Sequence, residues 1–431
     1  MNYKELFEKY KNGIANEEEK RIVEEELEKY EAIEEYLSQI IDEKSVKAED
    51  FDILEDNKEE TSKLIKDVKK RLRKVGFTSA IIVIVFLIVV FYGLPEIIDL
   101  FYYDPTNVSS ANSYYTADSV GNIYNTGLPN IYFNLVAHVS LNMPGYAIRS
   151  VSAYSKGFGE YEVVYSLKNL FEEEELRTYV DIIRNRVVYK GDTLDYNSQI
   201  VLLKLLGFEA INNLFEDDSP DHISAINRQI QRRNEETIKY FQNLNPLSYV
   251  SMAIVFDKDL DMKEFYNLTA EMPSLDFKWV GIRTVEPGKR WRNNQSLDLI
   301  GFNPSFNDEP IPGESPDSEK YPLFYLVDSF HIPINFNSDY ETYISQAYET
   351  HFKSRLQYLI DQEEFVKIFE NGNRKIEFYQ DALDYINEHG VKTYGVLVYG
   401  KVEAFLENID KIPYSSLYIN KVLPVKPNIY Y

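Results

Sequence analysis

The chain holds 431 residues, 44% hydrophobic and 27% charged, which fits a folded protein of two or three domains and excludes a disordered or fibrous one. Cysteine is absent, so disulfides, thiolate nucleophiles, Cys-based zinc sites and iron–sulfur clusters are excluded. A net charge of −24 argues against a general nucleic-acid binder, whose surface must neutralise phosphate.

Residues 1–62 form the first segment. Leu6, Phe7 and Tyr10 make a short apolar face that Asn12–Gly13 should stop. Asn16 reads as an N-cap, with Glu17, Glu18 and Glu19 in the first turn, where negative charge is favoured. Val23, Leu27, Tyr30, Leu37 and Ile41 then recur at helical steps, with Ile33 and Ile40 beside them. The spacing predicts an amphipathic helix of about six turns with a Glu-rich opposite face. Residues 42–62 are polar and acidic around Phe51, Ile53 and Leu54. Two short helices make a poor core alone. The stripe therefore points to a partner surface, with a self-contained hairpin or a dimerising coiled coil as the other readings.

Residues 63–74 predict a basic juxtamembrane helix, and residues 75–94 run without a charge. At about 1.5 Å of rise each, that run would span ~30 Å, the hydrocarbon thickness of a bilayer, so one transmembrane helix is expected. The expected anchor is Lys69, Lys70, Arg71, Arg73 and Lys74 before the run and Tyr92 near its end, where Phe101, Tyr102 and Tyr103 extend an aromatic belt. The positive-inside rule then predicts a single-pass protein of the cell membrane, with residues 1–74 cytoplasmic and 95–431 extracytoplasmic.

Residues 95–220 read as a first outer region. A linker rich in Ser, Asn, Thr and Gly over 106–130 precedes strand-like runs at 131–141, 161–167, 184–188 and 199–206. Residues 221–431 read as a second outer domain. It has helices at 222–244, 262–268, 340–360, 377–389 and 402–408, and strands at 249–256, 275–284, 391–400 and 416–423. Nine Pro or Gly residues mark 286–322 as a long loop, and Ser338 with Glu341 forms a capping box for the helix that follows. Strands and helices outside strict alternation suggest α+β. The expected fold class is thus an α-helical cytoplasmic arm, one transmembrane helix and an α+β extracytoplasmic region.

Signals of chemistry are sparse. His138, His222, His331, His351 and His389 stand apart, and there is no His-Glu-x-x-His, Gly-x-Ser-x-Gly or P-loop motif. Asp257, Asp259 and Asp261 alternate as in a calcium loop, but Met262 and Leu268 fall where Gly and Glu are needed, so they read as a strand end and a helix cap. The glutamates 172–175 read as a solvated turn. Trp279 and Trp291 beside Arg283, Lys289, Arg290 and Arg292 read as packing tryptophans in a surface loop, with an anionic polymer or lipid contact as the other reading. No catalytic residue, cofactor or metal is expected.

The run Leu6…Tyr10-x-x-Gly13, followed by Glu17–Glu18…Val23–Glu24-x-x-Leu27, resembles the N-terminal domain of membrane-bound anti-sigma factors. Zinc-carrying members of that class hold a His-x-x-x-Cys-x-x-Cys motif; Glu26, Tyr30 and Ile33 stand at the matching positions here, so the resemblance implies the frame without the metal. Residues 65–74, the uncharged run and residues 92–105 (YGLPEIIDLFYYDP) resemble the sigma-factor-regulator N-terminal family of Gram-positive bacteria. Residues 255–257, 279–282 and 394–400 (YGVLVYG) resemble its C-terminal partner family.

The resemblance implies a non-enzymatic anti-sigma factor of the cell-envelope stress type. Leu6, Tyr10, Val23, Leu27, Tyr30, Ile33 and Leu37 would hold an extracytoplasmic-function sigma factor, away from RNA polymerase. The outer domain would sense an envelope signal, with an envelope ligand or a release protease as further partners and no direct contact with nucleic acid. The competing expectation is a membrane-anchored extracytoplasmic binding protein or envelope enzyme whose arm is incidental.

Overall fold

A computed structural model of the chain describes residues 9–11, 15–16, 20–21, 23–24, 33, 35, 58–88, 94–108, 115–117, 123–125, 128–190, 219–286, 300–308, 315–327, 340–370 and 376–427. The chain divides into two units, Met1–Leu87 and Ile88–Tyr431.

In the first unit, the described residues 9–11, 20–21, 23–24, 33 and 35 are helical. The Lys20 N–H donates to the Asn16 carbonyl at 2.9 Å, the bond that opens a helix from its N-cap. Helix α1 (Lys58–Ile88) follows, and every side chain described over 65–88 is exposed.

The expected transmembrane helix is corrected here: among the described residues no helix is long and apolar enough to cross a membrane. The reason lies in the make-up of α1. Its uncharged part, residues 75–88, has fourteen residues and rises only ~21 Å at 1.5 Å each. Extending it backwards takes in Arg71, Arg73 and Lys74. Residues 89–93, which the expected span included, lie outside the described residues.

The second unit is mixed α/β, built on antiparallel sheets. Helix α2 (Leu94–Asp99) is followed by a short pair, β1 (Tyr115–Ala117) with β2 (Ile123–Asn125), inside the stretch expected to be linker. Helix α3 (Asn130–Asn142) replaces the strand expected at 131–141. A four-stranded meander then runs β3 (Tyr146–Gly157), β4 (Glu160–Asn169), β5 (Glu175–Ile183) and β6 (Arg186–Lys190). Gly159 sits at φ +73 in the β3–β4 turn, where a Cβ would lie 2.4 Å from the Tyr102 ring.

Further on come α4 (Pro220–Asn243), β7 (Tyr249–Asp261), α5 (Met262–Ala270), β8 (Asp276–Ile282) and β9 (Gly301–Phe302). Helices α6 (Tyr340–Asp361), α7 (Glu363–Phe369) and α8 (Ile376–His389) lead to β10 (Lys392–Lys401), α9 (Val402–Asn408) and β11 (Tyr414–Leu423). The second sheet has the order β11-β7-β10-β8-β9.

Both faces of its central strands are covered, so the first eight residues of β7 are all buried and, Ser251 apart, hydrophobic. One face carries Val250, Met252, Ile254, Val396 and Val398 into a core with Phe265, Phe302 and Phe352. The other packs Tyr249, Val255, Trp279 and Tyr399 against Leu170 and Phe171. Gly281 pairs with Gly301 beneath the Trp279 indole, where a Cβ on Gly301 would lie 2.6 Å from the ring.

Candidate functional site

The residues expected to grip a partner are described in part. Tyr10 is half-buried, and its hydroxyl donates to Glu24 at 3.4 Å. Val23 is 5% exposed and therefore buried, whereas Ile33 is 56% exposed. Leu6, Leu27, Tyr30, Leu37 and the anchor residue Tyr92 lie outside the described residues. Lys69, Lys70, Arg71, Arg73 and Lys74 are exposed on α1, directly ahead of the exposed apolar residues 80–88.

In the second unit the structure assembles a buried polar seam that sequence reasoning missed. Asn134, His138 and Asn142 recur every four residues along α3, so they form one polar stripe on a mainly apolar helix. At one end, the Tyr358 hydroxyl of α6 donates to Asn134 Oδ1 at 2.8 Å. Asn134 Nδ2 donates to the Tyr103 hydroxyl at 3.0 Å, and the Tyr103 N–H donates to Asn185 in the β5–β6 turn at 2.8 Å. At the other end, Asn142 Nδ2 donates to the Tyr379 hydroxyl of α8 at 3.0 Å, and that hydroxyl donates to Glu370 Oε1 at 2.7 Å. Glu370 also lies 3.4 Å from His138 Nδ1, and both side chains are almost fully buried.

These bonds tie the helix layer to the turn of the four-stranded sheet. Burial drives the Tyr103 hydroxyl well above its ordinary pKa, countered by its bond with Asn134, and burial does the same to Tyr358. Both therefore stay protonated and act as donors or acceptors of hydrogen bonds rather than as acids. The four-residue recurrence of Asn, His and Asn was the signal available in the sequence.

The remaining candidates resolve as structure. Asp261 caps α5 with a reciprocal capping box to Glu264, and Asp259 makes two bonds of 2.9 Å to Arg283. Glu172, Glu173 and Glu175 pair with Lys421, Lys168 and Arg149. Trp279 is 1% exposed inside β8 rather than in a surface loop, and its Nε1–H donates to the Ser140 carbonyl at 3.3 Å. Trp291 lies outside the described residues.

His351 is buried, with Nδ1 2.8 Å from the Leu323 carbonyl; burial, then the nearby Arg355, holds it well below its ordinary pKa. His222 and His389 are exposed, and His331 is outside the described residues. Among the described residues no group of three His, Cys, Asp or Glu could hold a metal ion.

Residues 241–414, from the end of α4 to the start of β11, match the sigma factor regulator C-terminal family. That match supports a sigma-factor regulator family, as the resemblance of residues 255–257, 279–282 and 394–400 implied. A family of that kind is regulatory and implies a sigma factor as the partner class. No curated protein and no solved structure matches the chain.

Proposed function

We propose that the chain is an anti-sigma factor that sequesters an extracytoplasmic-function sigma factor through residues 1–62, and that the second unit reads an envelope signal governing release. The observation that carries this reading is the family match over residues 241–414. The arm supports it: its described residues are helical where an apolar stripe was expected, and Ile33 is open to a partner. The Glu-rich face complements a basic protein surface and favours encounter more than final affinity.

The exposed apolar end of α1 and the basic residues ahead of it support attachment at an anionic membrane surface. Exposed apolar side chains suit an interfacial segment, and basic residues beside it add attraction to acidic lipid.

Co-expression with candidate extracytoplasmic-function sigma factors tests the reading. The full chain should co-purify one of them at equal stoichiometry, and a chain lacking residues 1–57 should not. A sigma factor that stays bound after that deletion would place binding elsewhere.

A further inference from the structure

Two tight turns at one end of the four-stranded sheet are joined to each other and to α2. Gly157 pairs with Glu160 across Phe158 and Gly159, and Ile183 pairs with Arg186 across Arg184 and Asn185. All four turn residues have positive φ, at 59°, 73°, 48° and 63° in chain order, the pattern of a type I′ turn. The Arg184 N–H donates to the Gly159 carbonyl at 2.8 Å and so links the turns. Asp99, at the end of α2, accepts from the Gly159 N–H, and Asn185 accepts from the Tyr103 N–H at 2.8 Å. The segment that closes α2 is thereby held against both turns.

This fixed end carries large apolar side chains outward. Ile97, Leu100 and Phe101 stand three and four positions apart, on one side of α2 and the turn that ends it. They are 53%, 84% and 76% exposed, and Phe158 is 40% exposed. Phe158 is also an unfavourable choice for its position. An I′ turn prefers Asn there, and a bulky side chain at positive φ is strained. An aromatic kept at a strained, exposed tip points to a use for its surface.

The apolar surface and its place in the chain select the occupant. Leu100 and Phe101 keep most of their surface open, the state of side chains that enter lipid rather than pack on protein. Ile97 follows Ile88, the last described residue of the exposed apolar run on α1, by only nine positions, so a bilayer holding one is within chain reach of the other. Net charge does not select it, because Asp99 and Glu160 offset the exposed Arg184 and Arg186. Neither arginine makes an ion pair among the described residues, so both are available to lipid phosphate.

We propose that this end of the sheet docks on a phospholipid bilayer, with Ile97, Leu100, Phe101 and Phe158 entering the interface and Arg184 and Arg186 at the phosphates. The choice of a bilayer rests in part on the attachment proposed for α1, and the experiment reads the two contacts separately.

The chain has no cysteine, so one introduced cysteine carries a polarity-sensitive fluorophore to a single site. The full chain should be labelled at Leu100→Cys, at Ile84→Cys on α1, or at Tyr240→Cys on α4, and titrated with phosphatidylcholine vesicles. The Leu100 label should shift to the blue and become shielded from aqueous iodide, while the Tyr240 label stays unchanged. Because the contact is apolar, adding phosphatidylglycerol should change the vesicle concentration at half-response by less than about twofold. Phe158→Asn gives the turn its preferred residue, so it should not lower the unfolding midpoint, yet it should raise that concentration at least about threefold. A shift at Leu100 without one at Ile84 would uphold the docking and remove the attachment through α1. A shift at Ile84 alone would overturn the docking and leave that attachment standing. A Leu100 response that needs phosphatidylglycerol, that Phe158→Asn leaves unchanged, or that arises without vesicles as the chain self-associates would equally overturn it.

Discussion

Helices α1 and α3 both carry long apolar runs, IIVIVFLI in one and IYFNLVAHVSL in the other, yet they meet opposite surroundings. Phe86 on α1 is 63% exposed, while Phe133 on α3 is fully buried, as are all its neighbours from Ile131 to Asn142. The difference is the polar stripe. Asn134, His138 and Asn142 give α3 three fixed bonding directions, and Tyr103, Tyr358, Tyr379 and Glu370 meet them. The apolar end of α1 has no such residues from Ile81 onward and so specifies no protein neighbour of its own. Apolar content drives burial without choosing a neighbour; satisfied polar groups choose one.

The largest test of that contrast removes a member of the buried seam. His138→Leu takes away the imidazole beside Glu370 and should lower the unfolding free energy of the full chain by about 3 kcal/mol, since buried polar groups of the seam are left short of a partner. Denaturant unfolding measures it; a loss below about 1 kcal/mol would show that the seam is not holding α3. Tyr379→Phe deletes one hydroxyl that serves both Asn142 and Glu370. About 1–3 kcal/mol should be lost, since two buried groups each lose a bond.

Protonation tests the same packed layer more gently. His351 is held neutral, with a folded pKa well below 6.5, so the unfolded chain takes up the proton first. Stability from this residue is therefore complete above the unfolded pKa and is lost as pH falls below about 6.5, by up to ~1.4 kcal/mol per pH unit. His351→Gln should flatten the slope of unfolding free energy between about pH 6 and 5 by roughly one proton. An unchanged slope would contradict the assignment. The smallest effect belongs to α1: Ile84→Ala, at a side chain 55% exposed, should shift unfolding by less than about 0.5 kcal/mol. A loss of 2 kcal/mol there would reveal a protein neighbour and erase the contrast.

The same two helices show how far the sequence could be read. Among the described residues, the uncharged part of α1 is residues 75–88, behind Arg71, Arg73 and Lys74, and no helix there is long and apolar enough for the crossing that twenty uncharged residues suggested. The run at 131–141 looked like a strand because its apolar density masked the four-residue recurrence of its polar members.

Elsewhere local signals sufficed. Asp261 caps α5, and α9 spans the residues expected of it, Val402–Asn408, whereas α4 opens at Pro220 behind a Ser219 cap, two residues ahead of the expected start. Strands β3 and β5 were passed over; β5 opens within the glutamates read as a turn, and its alternation of exposed and buried residues appears only when β4 lies beside it. The seam joins residues more than two hundred positions apart, such as Asn134 with Tyr358 and Asn142 with Tyr379, and no local pattern carries that.

Affinity of the full chain for its sigma factor tests the central claim most directly, measured alongside Leu27→Ala. Leu27 sits mid-stripe in the arm, and truncating a central desolvated residue of a helix-in-groove interface removes about 2–4 kcal/mol, so Kd should rise roughly 30- to 1000-fold. An unchanged Kd, with the variant folded and present at normal abundance, would contradict sequestration by the stripe.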